Sequence, residues 1–226
     1  MKNKKLTVIS ELPIFPLPNT VFFPKTLLPL YVFEKRYREM VEDALVKDSL
    51  IVMVLLKEGW EDKYFENPPV YDIACVGKIQ KSDVLSDGKY NIVLYGMQRV
   101  KILNFVQDKP YRVAQVRYLE EIRFDQENFI ESFAAKSFIG FLGKYLIAAG
   151  VGNPDDLLKL ETHSLESIVN QVASLLDFSL LEKQELLEIT SLQVRYERIL
   201  QLLEEKLLGI KIAKKIKYVP KDSSWN

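Results

Sequence analysis

Histidine and cysteine are almost absent from this sequence of 226 residues, which contains one of each, His163 and Cys75. A zinc site with two histidines therefore cannot form, and a single cysteine excludes both an internal disulfide and a cysteine-based zinc cluster. The apolar, strand-like surroundings of Cys75 predict a buried thiol in a reducing compartment. His163 is predicted to be a partly exposed residue at the start of a helix.

An excess charge of either sign is also absent. Lys plus Arg and Asp plus Glu each total 31, and zero net charge argues against a general nucleic-acid binder, although a local basic patch remains an alternative. The longest apolar run, LIVMVLL at 50–56, is far shorter than the ~20 residues needed to span a bilayer. Glu11 and Pro13 interrupt the apolar stretch before a signal-peptide core can form. We therefore expect a folded cytoplasmic protein without a membrane partner.

Motifs for catalysis and cofactor binding are missing as well. The fragment nearest to a phosphate-binding loop, GFLGKY at 140–145, has the wrong spacing and no hydroxyl for Mg²⁺. There is no Gly-x-Ser-x-Gly segment for a nucleophilic serine. The carboxylate pairs, such as Glu42-Asp43, are adjacent on solvent-facing segments and do not converge as a catalytic pair must. We expect no enzyme, no metal and no cofactor.

The first half of the chain, residues 1–122, predicts mostly strands. Segments 27–33 and 50–57 are predicted strands, and the second is apolar on both faces and therefore central. Asp87-Gly88 between two β-rich runs predicts a hairpin, and Gly77 and Gly96 predict bulges in long bent strands. Long bent strands with a single helix, over 34–47, favour a small, partly closed barrel.

From about residue 125 the apolar residues recur with the helical period of 3.6, which predicts a bundle of four or five helices over 123–209. A basic tail, 210–226, follows. Capping boxes, an N-terminal proline and glycines define the expected helix ends. Two of the predicted helices have both bounds, at about 126–149 and at 165–177. A helix between them begins at Asn153-Pro154, and another begins at the capping box Ser179-x-x-Glu182. The last helix begins at the capping box Thr190-x-x-Gln193 and ends at Gly209.

Several motifs occur in a fixed order in the first half. The segment LPIFPLPNTVFFP at 12–24 is followed by LPLYVFEKRYREM at 28–40, and later by IACVG at 73–77, Asp87-Gly88 and GMQRV at 96–100. In order and spacing these motifs closely resemble the N-terminal, substrate-binding domain of Lon protease, over roughly residues 10–210. The resemblance implies an α+β fold, with a PUA-like β-barrel subdomain followed by a helical bundle. Lys35 departs from the family, which often has proline there.

Full-length Lon continues into ATPase and protease modules that this sequence lacks. The resemblance therefore implies a stand-alone, non-catalytic module that binds unfolded polypeptides or specific protein partners, as an adaptor for proteolysis or quality control. The alternative is a PUA-like RNA-binding protein that uses the lysine-rich tail. A local basic cluster attracts RNA, but no basic and aromatic strip is visible in the barrel half.

Two loops, 18–24 and 59–69, are the candidate polypeptide-binding segments, because each places aromatic residues beside prolines or polar residues. For the first loop two hypotheses stay open: one of two adjacent phenylalanines projects as an exposed anchor, or both pack over the barrel end. The candidate residues are Asn19, Val21, Phe22, Phe23, Trp60, Tyr64 and Phe65.

Other residues of the family motifs are interpreted as structural. The charged ones are expected to anchor strand or helix ends by hydrogen bonds, and the glycines to meet backbone requirements. These residues are Glu34, Arg36, Tyr37, Gly77, Asp87, Gly88, Gly96 and Arg99. The apolar residues of the last helix also permit a homodimer through the helical half.

Overall fold

Six strands and five α-helices make up the part of the chain that this computed structural model describes, residues 9–123, 133–150 and 164–217. No helix in these ranges is both long enough and apolar enough to cross a membrane. The strands are β1 (Ile9–Leu17), β2 (Leu27–Val32), β3 (Leu50–Leu55), β4 (Ile73–Val84), β5 (Tyr90–Gln107) and β6 (Val113–Tyr118). The helices are α1 (Lys35–Val46), α2 (Phe133–Ala149), α3 (Leu165–Leu175), α4 (Leu180–Glu188) and α5 (Leu192–Lys217).

The strands form a partly closed barrel. Their order is β2-β5-β4-β3-β1-β6, and β6 also pairs with β5, so five strands form a ring that leaves β2 outside. Strand β5 makes this possible, because its first half pairs with β2 and its second half with β6. The predicted α+β fold with a partly closed barrel is confirmed, as is the central position of the strand at 50–55.

Two prolines in β1 are compatible with its place in the ring. Residues 9–13 pair with β6 and residues 14–17 pair with β3, so each half of β1 has a partner on one side only. Proline has no N–H to donate to a sheet, and it is tolerated where one side of the strand is unpaired. Pro13 and Pro16 therefore lie on either side of the point at which β1 changes its pairing partner.

Glycines allow the chain to turn and to approach itself closely. Gly88 has a φ of +74° in the turn between β4 and β5, which confirms the predicted hairpin. The pairing of these strands shifts register between Val76 and Gly77, opposite Gly96, as the glycines predicted. A Cβ atom on Gly96 would lie 2.0 Å from the carbonyl oxygen of Phe23, so only glycine fits there.

The first candidate loop packs inward. Val21, Phe22 and Phe23 are all buried, so the prediction that one phenylalanine projects as an anchor is wrong. The two glycines explain the difference, because the Phe22 ring and the Phe23 backbone occupy the space that side chains at Gly77 and Gly96 would need. Both rings belong to the core that also contains the buried face of α1.

The helical half differs from its prediction at the last helix. Helix α5 does not end at Gly209 but continues to Lys217, and Ile210 packs against the core just beyond the glycine. Its N-terminal cap is Ser191, whose hydroxyl accepts from the N–H of Val194, and not Thr190. The capping box of Ser179 is confirmed. The helix predicted from Asn153-Pro154 and His163 lie outside the described residues.

Cys75 lies in β4 with its side chain fully buried, as predicted. Burial raises the pKa of its thiol to about 12, so the reactive thiolate is scarce at neutral pH. We expect native protein to resist alkylation by iodoacetamide at pH 8 and urea-unfolded protein to be labelled to completion. Mass spectrometry measures both, and rapid labelling of the native chain would contradict this packing.

Gly96→Ala tests the close approach of Phe23. The added methyl group collides with backbone, and we expect the free energy of unfolding to fall by more than about 2 kcal/mol. The matched control is Gly209→Ala in α5, where a Cβ atom meets nothing within 4 Å, and where alanine is expected to stabilise the helix by up to about 1 kcal/mol. Urea unfolding followed by circular dichroism compares the two, and equal effects would refute the assignment.

Candidate functional site

A buried arginine on β5, Arg99, joins the barrel to the helices. Its Nη1 donates to Glu121 Oε2 at 2.8 Å, and its Nη2 donates to Asn170 Oδ1 of α3 at 3.1 Å. Its Nε donates to the carbonyl of Leu187 in α4 at 2.7 Å. Glu121 also accepts from Arg195 of α5, so one carboxylate lies between two buried guanidinium groups.

The charges of this cluster depend on one another. Burial, together with the positive charge of Arg195, lowers the pKa of Arg99 to about 10. The guanidinium nevertheless stays protonated at neutral pH, and a buried cation without a carboxylate is strongly unfavourable. Because three nitrogens of Arg99 donate to protein groups, the cluster links structural elements.

The same cluster reaches the segment before β2. Asn170 Nδ2 donates to the carbonyl of Pro24 at 3.0 Å, and Lys25 Nζ lies 2.6 Å from Glu166 Oε2 in α3. Thr26 is buried and donates from its hydroxyl to the carbonyl of Phe23 at 2.7 Å. The start of β2 is therefore fixed from the helical half.

Glu121→Gln tests this link. The substitution leaves Arg99 and Arg195 without their shared carboxylate, and we expect a loss of about 3 kcal/mol in the free energy of unfolding. Glu205→Gln is the control, because Glu205 is exposed and lies 3.9 Å from Arg198, so its loss is expected to stay below about 0.5 kcal/mol. Urea unfolding measures both; similar small losses would mean that Glu121 does not hold the two halves together.

Strand β2 has an open edge, since within the described ranges it pairs only with β5. Leu27 and Tyr31 of β2, and Phe33 directly after it, all lie at odd-numbered positions and are 60%, 51% and 57% exposed. Their side chains share one face because the side chains of a strand alternate. Val93 and Tyr95 of β5 adjoin this face and are partly exposed. An open backbone edge therefore lies beside an apolar surface, which we call the β2 face.

Pro29 lies in the middle of β2 and accounts for its place at the edge. Proline cannot donate to a second neighbouring strand, so it is found on edge strands. Its missing donor also weakens indiscriminate pairing between exposed edges.

The second candidate loop, 59–69, contacts the start of α1. Glu34 accepts from Arg36 Nε at 3.1 Å and from the Tyr64 hydroxyl. The Arg36 guanidinium lies over the ring of Tyr64, 5.0 Å from its centroid. Burial and the hydrogen bond to Glu34 raise the pKa of Tyr64, which keeps its hydroxyl a donor. Trp60 packs edge-on against Tyr64, whereas Phe65 is 86% exposed.

A cavity of about 370 Å³ lies between this loop, the start of α1 and the loop from β5 to β6. Its wall is largely apolar, and charged groups from all three segments reach it. The apolar wall consists of Pro16, Tyr37, Leu56, Tyr64, Phe65, Pro68, Pro110 and Tyr111.

The predicted site residues do not lie together in the structure. Trp60, Tyr64 and Phe65 lie together in one loop, while Asn19 is exposed at a separate turn, where its Oδ1 accepts from the Thr20 hydroxyl. The candidate residues 21–23 are in the core. The two candidate loops do not form one surface.

The hairpin residues of the family motifs contact α1. Arg38 Nη1 donates to the carbonyl of Gly88 at 3.2 Å. Asp87 accepts from the backbone N–H of Lys89 and pairs with its ammonium group at 2.7 Å, and these hydrogen bonds lower the pKa of Asp87. Within the described ranges, no group of three or more histidine, cysteine, aspartate or glutamate residues is placed to hold a metal ion.

Sequence reasoning missed two sets of residues. The sequence predicts an ordinary strand at 27–33, although the apolar residues Leu27, Tyr31 and Phe33 at odd-numbered positions around Pro29 indicate an edge strand with an apolar outer face. Arg112 and Lys109, which line the cavity, carried no recognisable signal, because their position depends on the closure of the barrel.

The fold is that of Lon N-terminal domains. The Lon N-terminal domain protein from Xanthomonas campestris superposes with a TM-score of 0.59 at 24% identity, covering 85% of this chain and 98% of that one. The N-terminal domain of Mycobacterium avium complex Lon protease superposes with a TM-score of 0.61 at 16% identity, covering 88% and 98%. At these identities the two structures establish the fold alone.

The sequence identifies the family as well. Residues 11–205 match the ATP-dependent protease La (LON) substrate-binding domain, and the chain belongs to this family. Lon protease from Anaeromyxobacter dehalogenans is 28% identical over 218 residues, which are 94% of this chain and 25% of the relative. Lon protease from Dictyoglomus thermophilum is 28% identical over 216 residues, 95% of this chain and 27% of the relative. The chain spans about a quarter of the length of these relatives.

Proposed function

We propose that this protein binds polypeptides, in extended and unfolded segments, at the open edge of β2. The single observation that carries the proposal is the combination of a strand edge that no described residue pairs with and the exposed apolar side chains of Leu27, Tyr31 and Phe33. The family to which the chain belongs is described as a substrate-binding domain of a protease, which supports a polypeptide as the ligand.

The chemistry of an unfolded chain matches this surface. Such a chain offers free backbone N–H and carbonyl groups, which can extend a sheet by one strand, and apolar side chains, which are buried on its face. Backbone hydrogen bonds do not depend on sequence, so they allow many different segments to bind. The apolar side chains of the β2 face then favour segments with hydrophobic residues at alternate positions.

Contacts within the protein fix the position of the β2 face in the absence of a ligand. The contacts of Pro24 and Lys25 with α3 fix the start of β2, and its pairing with β5 fixes its length. A rigid edge reduces the conformational entropy lost on binding. Binding therefore requires little rearrangement of the protein and mostly the ordering of the polypeptide.

The double variant Leu27→Lys/Phe33→Lys tests the proposal. Both side chains are exposed, so we expect a stability change within about 0.5 kcal/mol, while charge on the β2 face weakens binding of an unfolded chain about tenfold or more. Fluorescence anisotropy with labelled, reduced and carboxymethylated lactalbumin measures the affinity.

The matched control is Val46→Lys/Leu208→Lys, which adds the same charges at exposed apolar positions on α1 and α5. This control is expected to bind like the natural chain. Equal affinity of both double variants would refute the β2 face as the binding surface. Efficient competition by single-stranded RNA, weakening steeply with salt, would instead support the nucleic-acid alternative.

We infer further that binding serves proteolysis or quality control, because the relatives named above are Lon proteases. The protein's part in this inference is recognition, with no bond made or broken by its own residues. The cytoplasmic location and the homodimer through the helical half stay predictions.

A further inference from the structure

Arg112, directly before β6, is buried without a complete set of partners. Its side chain is 8% exposed, and its guanidinium carbon lies 3.7 Å from the centroid of the Phe105 ring. Its Nη1 donates to the carbonyl of Pro68 at 2.9 Å. Its Nε is buried and has no hydrogen-bond partner. A buried donor without an acceptor is unfavourable, so this group requires an explanation.

No carboxylate of the described residues neutralises Arg112 directly. Among the described residues none lies within ion-pair distance of it, in contrast to Arg99 and Arg195, which share Glu121. Asp108 acts on it only from farther away, and burial lowers the pKa of Arg112. A buried guanidinium group that lines a cavity is suited to an anion that enters the cavity.

The cavity beside Arg112 is accessible to such an anion. Arg36, at the other side of the cavity, is already paired with Glu34. The exposed charged residues of the lining are Lys109, Asp108 and Glu66, so Arg112 and Lys109 balance these two carboxylates once Arg36 is paired with Glu34. The positive charge at the buried end of the cavity is therefore the charge of Arg112.

The apolar part of the cavity wall determines which chemical group can lie next to the bound anion. The rings of Tyr37, Tyr64, Phe65 and Tyr111 and several prolines line the cavity, so the ligand must combine a carboxylate with an adjacent apolar group. A volume of about 370 Å³ is near the lower end of the range for small-ligand sites, ~300–1,000 Å³, and suits one or two residues, not a folded segment. An apolar residue at the C-terminal end of a polypeptide has this combination.

We propose that this cavity binds the C-terminal residue of a polypeptide, with its carboxylate on Arg112 and Lys109 and its side chain against the aromatic wall. The inference rests on the proposed function, because it takes a polypeptide as the ligand. It adds a second, chemically distinct feature, a free chain end, to the extended segment recognised at the β2 face.

Two peptides of one sequence test the inference. Both carry a fluorescent label at the N-terminus and end in phenylalanine, one with a free carboxylate and the other with a C-terminal amide. We expect the free acid to bind at least about tenfold more tightly to the natural chain in anisotropy titrations. Equal affinity for the two peptides would overturn the proposal.

Charge variants of the cavity test where the carboxylate of the peptide binds. Lys109→Glu reverses an exposed charge at the cavity, and Arg112→Met removes the buried one; we expect each to abolish the preference for the acid. Because Arg112 also holds Pro68, circular dichroism must first show that the methionine variant is folded, and Lys109→Glu provides the test that does not disturb the core. Lys211→Glu, the same charge reversal on exposed α5, is expected to keep the preference. A preference that survives in folded Lys109→Glu and Arg112→Met would place the carboxylate elsewhere.

Two further measurements separate this inference from its alternatives. N-acetyl-phenylalanine supplies the same carboxylate without a chain, and competition as strong as that of the peptide would mean a site for free acids and overturn the chain-end assignment. Unfolded lactalbumin that still binds at the β2 face while acid and amide peptides bind alike would leave the proposed function intact and refute the chain-end site.

Discussion

The buried charge of Arg99 is the constraint on which the arrangement of the two halves depends. It lies on the longest strand of the barrel, and its three donating nitrogens reach α3, α4 and the carboxylate that α5 also engages. Apolar packing alone would allow the helices to slide along the barrel, because the hydrophobic effect has no preferred direction. Directed hydrogen bonds from one buried cation fix their relative position, since any displacement leaves a charged group unpaired.

A second constraint follows from close packing at the end of the barrel. The backbone of Phe23 lies against Gly96, and Asn170 from the helical half holds Pro24 directly after it. The chain that leaves this contact can pair with only one side of β5, because β4 pairs with its other side. The open edge of β2 is thus a consequence of how the barrel closes, and the buried polar cluster determines where that edge begins.

Much of the fold could be predicted from the sequence, because it is encoded locally. Asp87-Gly88 specifies a turn through its backbone preferences, and the capping box at Ser179 specifies a helix start through reciprocal hydrogen bonds. The end of α5 could not be predicted in this way, since packing of Ile210 outweighs the local preference of Gly209. The hypothesis that one of the two phenylalanines, Phe22 or Phe23, is exposed was wrong for a related reason. Their burial depends on gaps left by glycines that are distant in sequence, and no local pattern reports such a gap.

The order of the two proposed surfaces along the sequence determines the direction in which a polypeptide that occupied both would run. The β2 face ends at Phe33, and Arg36, which lines the cavity, follows three residues later. A polypeptide that occupied both surfaces would have its chain end beside the C-terminal end of β2 and would therefore run parallel to this strand. A parallel strand can pair with an open edge, although slightly less stably per residue than an antiparallel one. The carboxylate bound by Arg112 would offset that difference, so the order of the two surfaces along the chain favours segments close to a C-terminus over internal segments of the same composition.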